Sequence, residues 1–519
     1  MPHERVPFAE TASTNISAMM ERFISLPDLL HLHAGGQPNK LAVADDDAQL
    51  SYLELDLLSD RVAASLQREG VEPGDAVVTV SYPSVAQAAV ILGTLRAGAA
   101  AAPLQPSATP GQLAAMIADS GARVVLLDAA AADALASEAM AVRLVRLDAL
   151  ETWLVDDKQR PKDVEVTPGD AFNIIYSSGT TGVPKGIVLS HGMRWEQQRR
   201  NGPNGFATAV TLLATPLYSN TTLVSLLPTL AWGGSAIFMN RFDAHRYLEL
   251  AQRYRATHTM LVPVQYQRIM TLPDFDSFDL SSFRLKTCTS APFKPDLKAD
   301  VVRRWPGALI EYYGMTEGGG STGLNATEFP DKLHTVGRPL PDHDIRLIDD
   351  DGCEVEPGGI GEVVGRSFTM MERYHGREDA TRDATWTSPE GLRFVRHGDL
   401  GEFDSDGFLI LRDRKKDLII SGGFNIYPSD IEGLLLQHPD VADCAVVGVA
   451  SEQWGETPVG FYVERAESTA TADEILSATN AGLGRTQRLS ALHRTDELPR
   501  SPIGKVLKRE LRDRLRAEL

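Results

Sequence analysis

Apolar and polar positions along the chain fall into two textures. Between residues 70 and 130, short apolar runs alternate with longer Ala- and Leu-rich ones. Residues 75–84 (DAVVTVSYPS) are a brief apolar run closed by a turn and predict a strand. Residues 85–100 (VAQAAVILGTLRAGAA) are longer and predict a helix, and 122–128 (ARVVLLD) predict a second strand. That order is strand–helix–strand, which favours a mostly parallel sheet covered by helices. Residues 170–178 (DAFNIIYSS) read as a buried strand running into a loop, and 258–270 and 308–317 read as further strands ending in polar residues. In open α/β sheets, ligands collect beyond such strand ends.

From about residue 340 the texture changes. Residues 344–366 and 398–420 show short strands between Gly and Asp turns, the pattern of an antiparallel, β-rich region. A charge-dense joint, RDRKKD at 412–417, precedes a last block with strands at 443–450 and 458–465 and charged helices at its end. The predicted architecture is α/β. A large N-terminal domain, 1–414, combines βα-layered subdomains with a β-barrel-like region. A small, mobile α+β C-terminal domain covers 415–519. No internal repeat is found.

Composition narrows the classes. With 519 residues, 43% hydrophobic and 23% charged, the chain reads as a soluble protein of several domains. The most apolar stretch, 88–104, is broken by Arg96, so no membrane span is expected. The first residues lack a basic segment followed by an apolar one, so no secretory signal is expected either. A net charge of −19 argues against nucleic-acid binding. Any phosphate site must therefore be built locally from backbone N–H groups, a few cations and a metal. Cys288, Cys353 and Cys444 lie far apart without metal-ligand spacing and read as reduced thiols of a cytoplasmic protein.

One stretch carries chemistry on its face. In YSSGTTGVPKG, residues 176–186, eight of eleven positions are Gly, Ser, Thr or Lys. Gly179, Gly182 and Gly186 permit close backbone approach. Consecutive N–H groups form an anion nest, Ser177, Ser178, Thr180 and Thr181 add hydroxyl donors, and Lys185 adds a point charge. It is not a Walker A loop, because Pro184 precedes the lysine and Gly186 follows it. A flexible surface loop of small residues is the alternative.

The stretch resembles the phosphate-loop signature of the adenylate-forming superfamily, which comprises acyl-CoA synthetases, adenylation domains of peptide synthetases and luciferases. YYGMTE (312–317), HGDLGEFDSDGFLILRDRKKD (397–417), SGGFNIYPSDIE (421–432) and LPRSPIGKVLKREL (498–511) resemble its further motifs, in its order. The chain is identified as a member of that superfamily, in its acyl-CoA synthetase branch. The resemblance implies a two-step reaction. A carboxylate attacks the α-phosphate of ATP to give an acyl-adenylate and pyrophosphate, and a thiol then displaces AMP.

It also implies roles for matching residues. Ser177, Ser178, Gly179, Thr180, Thr181 and Lys185 hold the β- and γ-phosphates. Thr316 contacts the α-phosphate, and Glu317 holds Mg²⁺ with Thr180 beside it. Ser290, Ala291 and Pro292 form one wall for the adenine. Glu311, Tyr312, Tyr313, Gly314 and Met315 line the other, with Glu311 accepting from the exocyclic amine and Tyr313 against the base. Asp399 accepts from the ribose hydroxyls and Arg414 reaches the ribose or phosphate. Lys505 bridges the carboxylate and the α-phosphate, and so the catalytic set is Lys505, Thr316 and Glu317. Lys416 is the hinge, and Gly422, Gly423 and Phe424 line the tunnel for coenzyme A. His191, His334 and His397 are expected to be structural, since this chemistry needs no general base. Trp232 and Phe238 are expected in the core.

The acid is expected beside Tyr218, Ser219, Asn220, Gly314, Met315 and Gly318. Amino-acid-activating relatives place Asp near Ser219, so an α-ammonium is disfavoured. Acetate-specific relatives carry Trp where this chain has Gly314, so a larger, aliphatic or aryl acid is expected. Residues 219–222 could present hydroxyls or an amide to a polar acyl group, or cap a helix starting near Thr221. Gly318, Gly319 and Gly320 add room or backbone approach. The family's Gly before the hinge arginine is Asp413 here, and a common Lys of the following loop is Asn425. The expected activity is ATP-dependent ligation of a carboxylic acid to coenzyme A by a monomer or homodimer. A stand-alone enzyme loading a carrier protein's phosphopantetheine is the alternative, and a non-catalytic nucleotide-binding scaffold is disfavoured by the joint presence of Lys505, Glu317, Thr316 and Asp399.

Overall fold

The structure is a computed structural model. It describes residues 20–136, 138, 140–177, 185–421, 424–451, 454–466, 468–485, 487–501 and 504–518. Ser178, Gly179, Thr180, Thr181, Gly182, Gly422 and Gly423 lie outside the described residues.

Residues 75–128 fold as their pattern requires. All five residues of strand Ala76–Val80 are buried, as expected of a parallel strand with both faces covered. Helix Val85–Arg96 follows, with Ser84 capping its first turn. Its last residue, Arg96, is buried between Asp56 at 2.5 Å and Asp60 at 2.8 Å. A Thr109–Gln112 capping box opens the next helix, Pro110–Ser120, and Gly121 closes it at φ 65°.

These elements build a seven-stranded sheet. Its spatial order is Arg373–Tyr374, Lys185–Ser190, Ala171–Ser177, Ala100–Leu104, Ala76–Val80, Val124–Leu127 and Arg143–Arg146. The run from Ala171–Ser177 onward is parallel, and the first two strands are antiparallel additions. A nine-stranded sheet follows the order Arg338–Pro339, Thr322–Asn325, Ala308–Tyr313, Leu285–Cys288, His258–Leu261, Val210–Leu213, Ser235–Phe238, Leu41–Ala44 and Gln49–Ser51. Its centre, from Ala308–Tyr313 to Leu41–Ala44, is parallel. The strand expected over 258–270 stops at Leu261, because Pro263 opens helix Pro263–Met270.

The β-rich region is a five-stranded sheet of Asp344–Ile348, Gly361–Arg366, Arg393–Phe403, Thr385–Thr387 and Leu409–Arg414, antiparallel throughout. A 3₁₀ turn, Lys415–Asp417, leads out of it. The last block is a second five-stranded sheet with Val441–Ser451 and Gly455–Glu464 as its long antiparallel pair. Helices Pro428–Leu435, Ala472–Ala481 and Lys508–Glu518 accompany it. Ile419, Ile431, Val446 and Ile475 form its core, and none is more than 1% exposed.

One contact joins the two blocks in an unusual way. Tyr427, at the N-cap of helix Pro428–Leu435, supplies no side-chain cap. Asp413 supplies it instead, its carboxylate accepting from Ser429 N–H at 2.9 Å. The strand that carries Asp413 belongs to the preceding sheet. Among the described residues no helix is long and apolar enough to cross a membrane.

Candidate active site

The parallel strands of the nine-stranded sheet end on one side, and the chain there turns repeatedly into polar, Gly-rich segments. A cavity of about 2760 Å³ opens at these ends and extends to the C-terminal block. It brings together Lys185, Tyr218, Ser219, Asn220, Ser290, Ala291, Pro292, Glu311 through Gly318, Asp399, Arg414, Lys416 and Lys505. Lys and Arg outnumber Asp and Glu in its lining, although the chain as a whole carries −19. The local field therefore opposes the global one and favours an anion.

Two antiparallel strands bound the phosphate-loop candidate, whose residues 178–184 lie outside the described residues. Ser177 pairs with Lys185 across strands Ala171–Ser177 and Lys185–Ser190. Lys185 Nζ lies 5.1 Å from the centre of the Tyr374 ring. The Tyr374 hydroxyl donates to Glu317 Oε1 at 2.8 Å, so one tyrosine couples the hairpin lysine to the metal-ligand candidate. Tyr374 reaches this point because strand Arg373–Tyr374 adds to the hairpin's edge. Nothing in the local sequence marks it. Glu317 is 9% exposed, and its second oxygen takes no hydrogen bond from the described residues. Thr316 precedes it on the turn after strand Ala308–Tyr313.

Gly318 has φ 74°, and a Cβ there would stand 1.8 Å from Thr369 O. Gly319 likewise faces Gly365 O and Val395. This Gly run is thus required for close backbone packing; it does not enlarge the pocket. At Gly314 a Cβ would stand 2.6 Å from Ser321 Oγ.

Ser290 has φ 84°, a left-handed backbone that costs a non-Gly residue about 1–3 kcal/mol. Its hydroxyl meets Thr221 Oγ1 at 2.7 Å. Thr221 follows Ser219, whose hydroxyl caps helix Asn220–Ala231. Thr222 bonds Thr215 Oγ1 and Pro216 O at 2.8 and 2.6 Å. The three hydroxyls of residues 219–222 are therefore spent on neighbours. Asn220 lies on the cavity wall, and its Oδ1 is buried with no hydrogen-bond partner among the described residues.

Asp399 and Arg414 are cross-strand partners, with Arg414 Nε 3.4 Å from Asp399 Oδ1. Tyr313 O–H donates to Asp399 Oδ2 at 2.8 Å. His397 Nδ1 lies 3.0 Å from the same tyrosine oxygen. Since that hydroxyl donates its one proton to Asp399, His397 holds its proton on Nδ1. Burial pushes His397 down to about 4, so the ring is neutral and orients Tyr313. His191 is likewise buried, edge-on to Phe172, and pushed down to about 4. Phe238 is a core residue, and Trp232 packs partly buried against the same core.

Glu311 is also buried, and its carboxylate is in direct contact with Lys298. Lys298 was not identified in the sequence. Its position beside Leu297, three residues before buried Val301, is the pattern of an inward-facing stripe.

Lys505 arrives from the C-terminal block. It follows Gly504, which packs against Val264 of helix Pro263–Met270. A turn fixes its backbone, with Ser501 N–H donating to Lys505 O at 2.8 Å. The side chain is solvent-accessible within the cavity. Surrounding protein lowers its pKa first by desolvation and then through Arg414, while Asp399 and Glu317 pull the other way. Lys416, in the 3₁₀ turn, is lowered by burial and by Arg414. Phe424 is 62% exposed and does not line the cavity.

Comparison with known proteins agrees with this arrangement. Residues 30–375 match the family model for AMP-binding enzymes and 430–505 match that for the AMP-binding enzyme C-terminal domain. A feruloyl-CoA synthase from Amycolatopsis is 34% identical over 481 residues, 92% of this chain and 96% of the relative. An indoleacetate–CoA ligase from Aromatoleum aromaticum is 32% identical, over 94% of this chain and 98% of the relative. The crystal structure of ATP-bound MatB from Rhodopseudomonas palustris superposes with a TM-score of 0.83 at 28% identity, covering 95% of this chain and 99% of that one. The chain belongs to the AMP-binding enzyme family and, within it, to the adenylate-forming acyl-CoA synthetases.

Proposed function

We propose that this enzyme activates an aryl carboxylic acid bearing a polar substituent, as its adenylate, and passes the acyl group to coenzyme A. The observation that carries the adenylation chemistry is the convergence of Lys505, Glu317, Asp399 and Arg414 on one cavity. Relatives named for ferulic and indoleacetic acids support an aryl acid. The buried Asn220 Oδ1, without a partner among the described residues, supports a hydrogen-bond donor on it, because buried polar atoms are normally hydrogen-bonded.

In the first step a carboxylate oxygen bonds to the α-phosphorus of ATP and the bond to pyrophosphate breaks. Two anions must meet, so the protein's task is positioning and charge neutralisation. Lys505 neutralises the carboxylate and α-phosphate together, and Lys185 and the 177–181 segment take the departing phosphates. Asp399 and Arg414 hold the ribose side. Glu317 would hold Mg²⁺ through a carboxylate oxygen, and the cation would supply charge neutralisation at the phosphates. Tyr374 orients Glu317, and Tyr374→Phe is expected to lower adenylation about tenfold, the scale of one hydrogen bond to a charged group. An unchanged rate of pyrophosphate release in that variant would remove Tyr374 from the mechanism.

For the second step we propose a rotation of residues 415–519 about Lys416. It withdraws Lys505 and brings Gly422, Gly423 and Phe424 to the thiol path, so the coenzyme A sulfur can attack the acyl carbon as AMP leaves.

The test is pyrophosphate release with ATP and Mg²⁺ across short, branched, hydroxylated, medium-chain, aryl and amino acids, with and without coenzyme A. Hydroxylated aryl acids should lead, with thioester formed only when coenzyme A is present. Release unaffected by coenzyme A, with no thioester, would point to a carrier-protein thiol instead. Asn220→Leu is expected to lower kcat/KM for a hydroxylated aryl acid about tenfold while sparing its unsubstituted counterpart, since one hydrogen bond is lost. Equal effects on both acids would deny Asn220 that contact.

A further inference from the structure

The loop that delivers Lys505 is pinned by side chains as well as by its backbone. Arg500 and Val506 pair across its base, and Leu507 N–H donates to Pro499 O at 2.8 Å. Within it, Gly504 N–H donates to Ser501 O and Ser501 N–H to Lys505 O, each at 2.8 Å. The peptide unit that joins Gly504 to Lys505 is then held at both polar ends. Its N–H, that of Lys505, donates to Ser501 Oγ at 3.1 Å. Its carbonyl, that of Gly504, accepts from the Arg500 guanidinium at 2.7 Å. A second arm of the same guanidinium donates to Asp443 Oδ2 at 2.5 Å. Asp443 lies on strand Val441–Ser451, so the loop is anchored to the sheet of the C-terminal block.

Glycine explains why such a clamp is needed. Gly504 has φ 79°, and a Cβ there would stand 3.1 Å from Val264 Cγ1 of helix Pro263–Met270. The left-handed backbone and the close approach both call for glycine. Glycine also leaves the following peptide free to turn, and the Lys505 side chain hangs from that peptide. The direction of its first bond decides where the ammonium can reach. Misplacing a reacting group by about 1 Å costs on the order of 10²-fold in rate. A guanidinium is planar and presents its donors in a fixed fork. With one arm on Asp443, the other has a set direction, and it ends on the Gly504 carbonyl.

We propose that Arg500, oriented by Asp443, is a positioning residue that fixes the peptide before Lys505 and so aims its ammonium in the adenylation step. This rests on the reading that Lys505 acts in that step and not in thioester formation.

The test uses the full chain and two assays. One is acid-dependent pyrophosphate release over a single turnover with ATP and Mg²⁺, without coenzyme A. The other is thioester formation from supplied acyl-adenylate and coenzyme A. Arg500→Met keeps an apolar stem and removes both hydrogen bonds. It should lower the maximal rate of the first assay about 10–100-fold, the scale of hydrogen bonds lost from a charged group. The half-saturating ATP concentration and the rate of the second assay should each stay within about threefold, because the lost contact serves only the transition state of the first step. Asp443→Asn keeps an acceptor for the guanidinium and should lose less than Asp443→Ala. In a Lys505→Ala background, Arg500→Met should add less than about threefold, since a residue that acts through another has nothing left to aim. A merely structural role would slow both assays alike and add its full loss to that of Lys505→Ala, and either result overturns the proposal. If Arg500→Met does not fold, Ser501→Ala decides. It releases the other end of the peptide and should slow adenylation about three- to tenfold, again with no added loss beside Lys505→Ala. Full-rate adenylation in the folded variant overturns the proposal, while a slow Lys505→Ala leaves the role of the lysine standing. A full-rate Lys505→Ala overturns both.

Discussion

Lys505→Ala is expected to slow acyl-adenylate formation by at least about 10²–10³-fold, the usual loss when one preorganised electrostatic donor is removed. Lys505 faces the cavity among Arg414, Asp399, Glu317 and Lys416. Desolvation, followed by Arg414, lowers its pKa from the ordinary lysine value. The charged form is the useful one, so adenylation should fall with rising pH before an unperturbed lysine, near about 10.4, would lose its proton. The measurement separates the half-reactions: pyrophosphate release from ATP and acid, and thioester formation from supplied acyl-adenylate and coenzyme A. The second should survive much better, since Lys505 acts only in the first. Equal losses in both would sink this assignment.

A disulfide across the domain contact should stop the cycle halfway. A Cβ at Gly504 would stand 3.7 Å from Val264 Cβ, within the roughly 3.5–4.5 Å that disulfides span. Gly504→Cys/Val264→Cys, made with Cys353→Ser to remove the exposed thiol, leaves Cys288 and Cys444 buried. Oxidised, it should complete one round of adenylation and then fail to make thioester. Reductant should restore the second step in the same sample. Cross-linked protein that forms thioester as fast as its reduced form would eliminate the rotation about Lys416.

Much of this site could be read in the chain because its parts are contiguous. The 176–186 loop, the 312–317 turn and the 498–511 segment each carry their chemistry in adjacent residues, and the strand ends that bear them follow from apolar runs. The β-rich region from 344 announced itself by its Gly and Asp turns. What escaped was chemistry assembled across the sheets. Tyr374 meets Glu317 only because a two-residue strand joins the hairpin edge. Lys298 meets Glu311 from a helix whose pattern marks its inward face but not the partner found there. The threonines of 219–222 looked equivalent, and tertiary partners tell them apart. Residues 263–270 continued an apolar run, but Pro263 started a helix there.

Asp413, on the last strand before the joint, caps a helix beyond it. Such a cap is worth about 0.5–2 kcal/mol. Rotation would surrender it, so the cap acts as a thermodynamic detent on the resting pose. Under the proposed rotation about Lys416, a bias of that size would enrich the capped arrangement roughly 2- to 30-fold. On the proposed rotation, part of the order in which substrates enter would then be set by a helix terminus at the edge of the cavity.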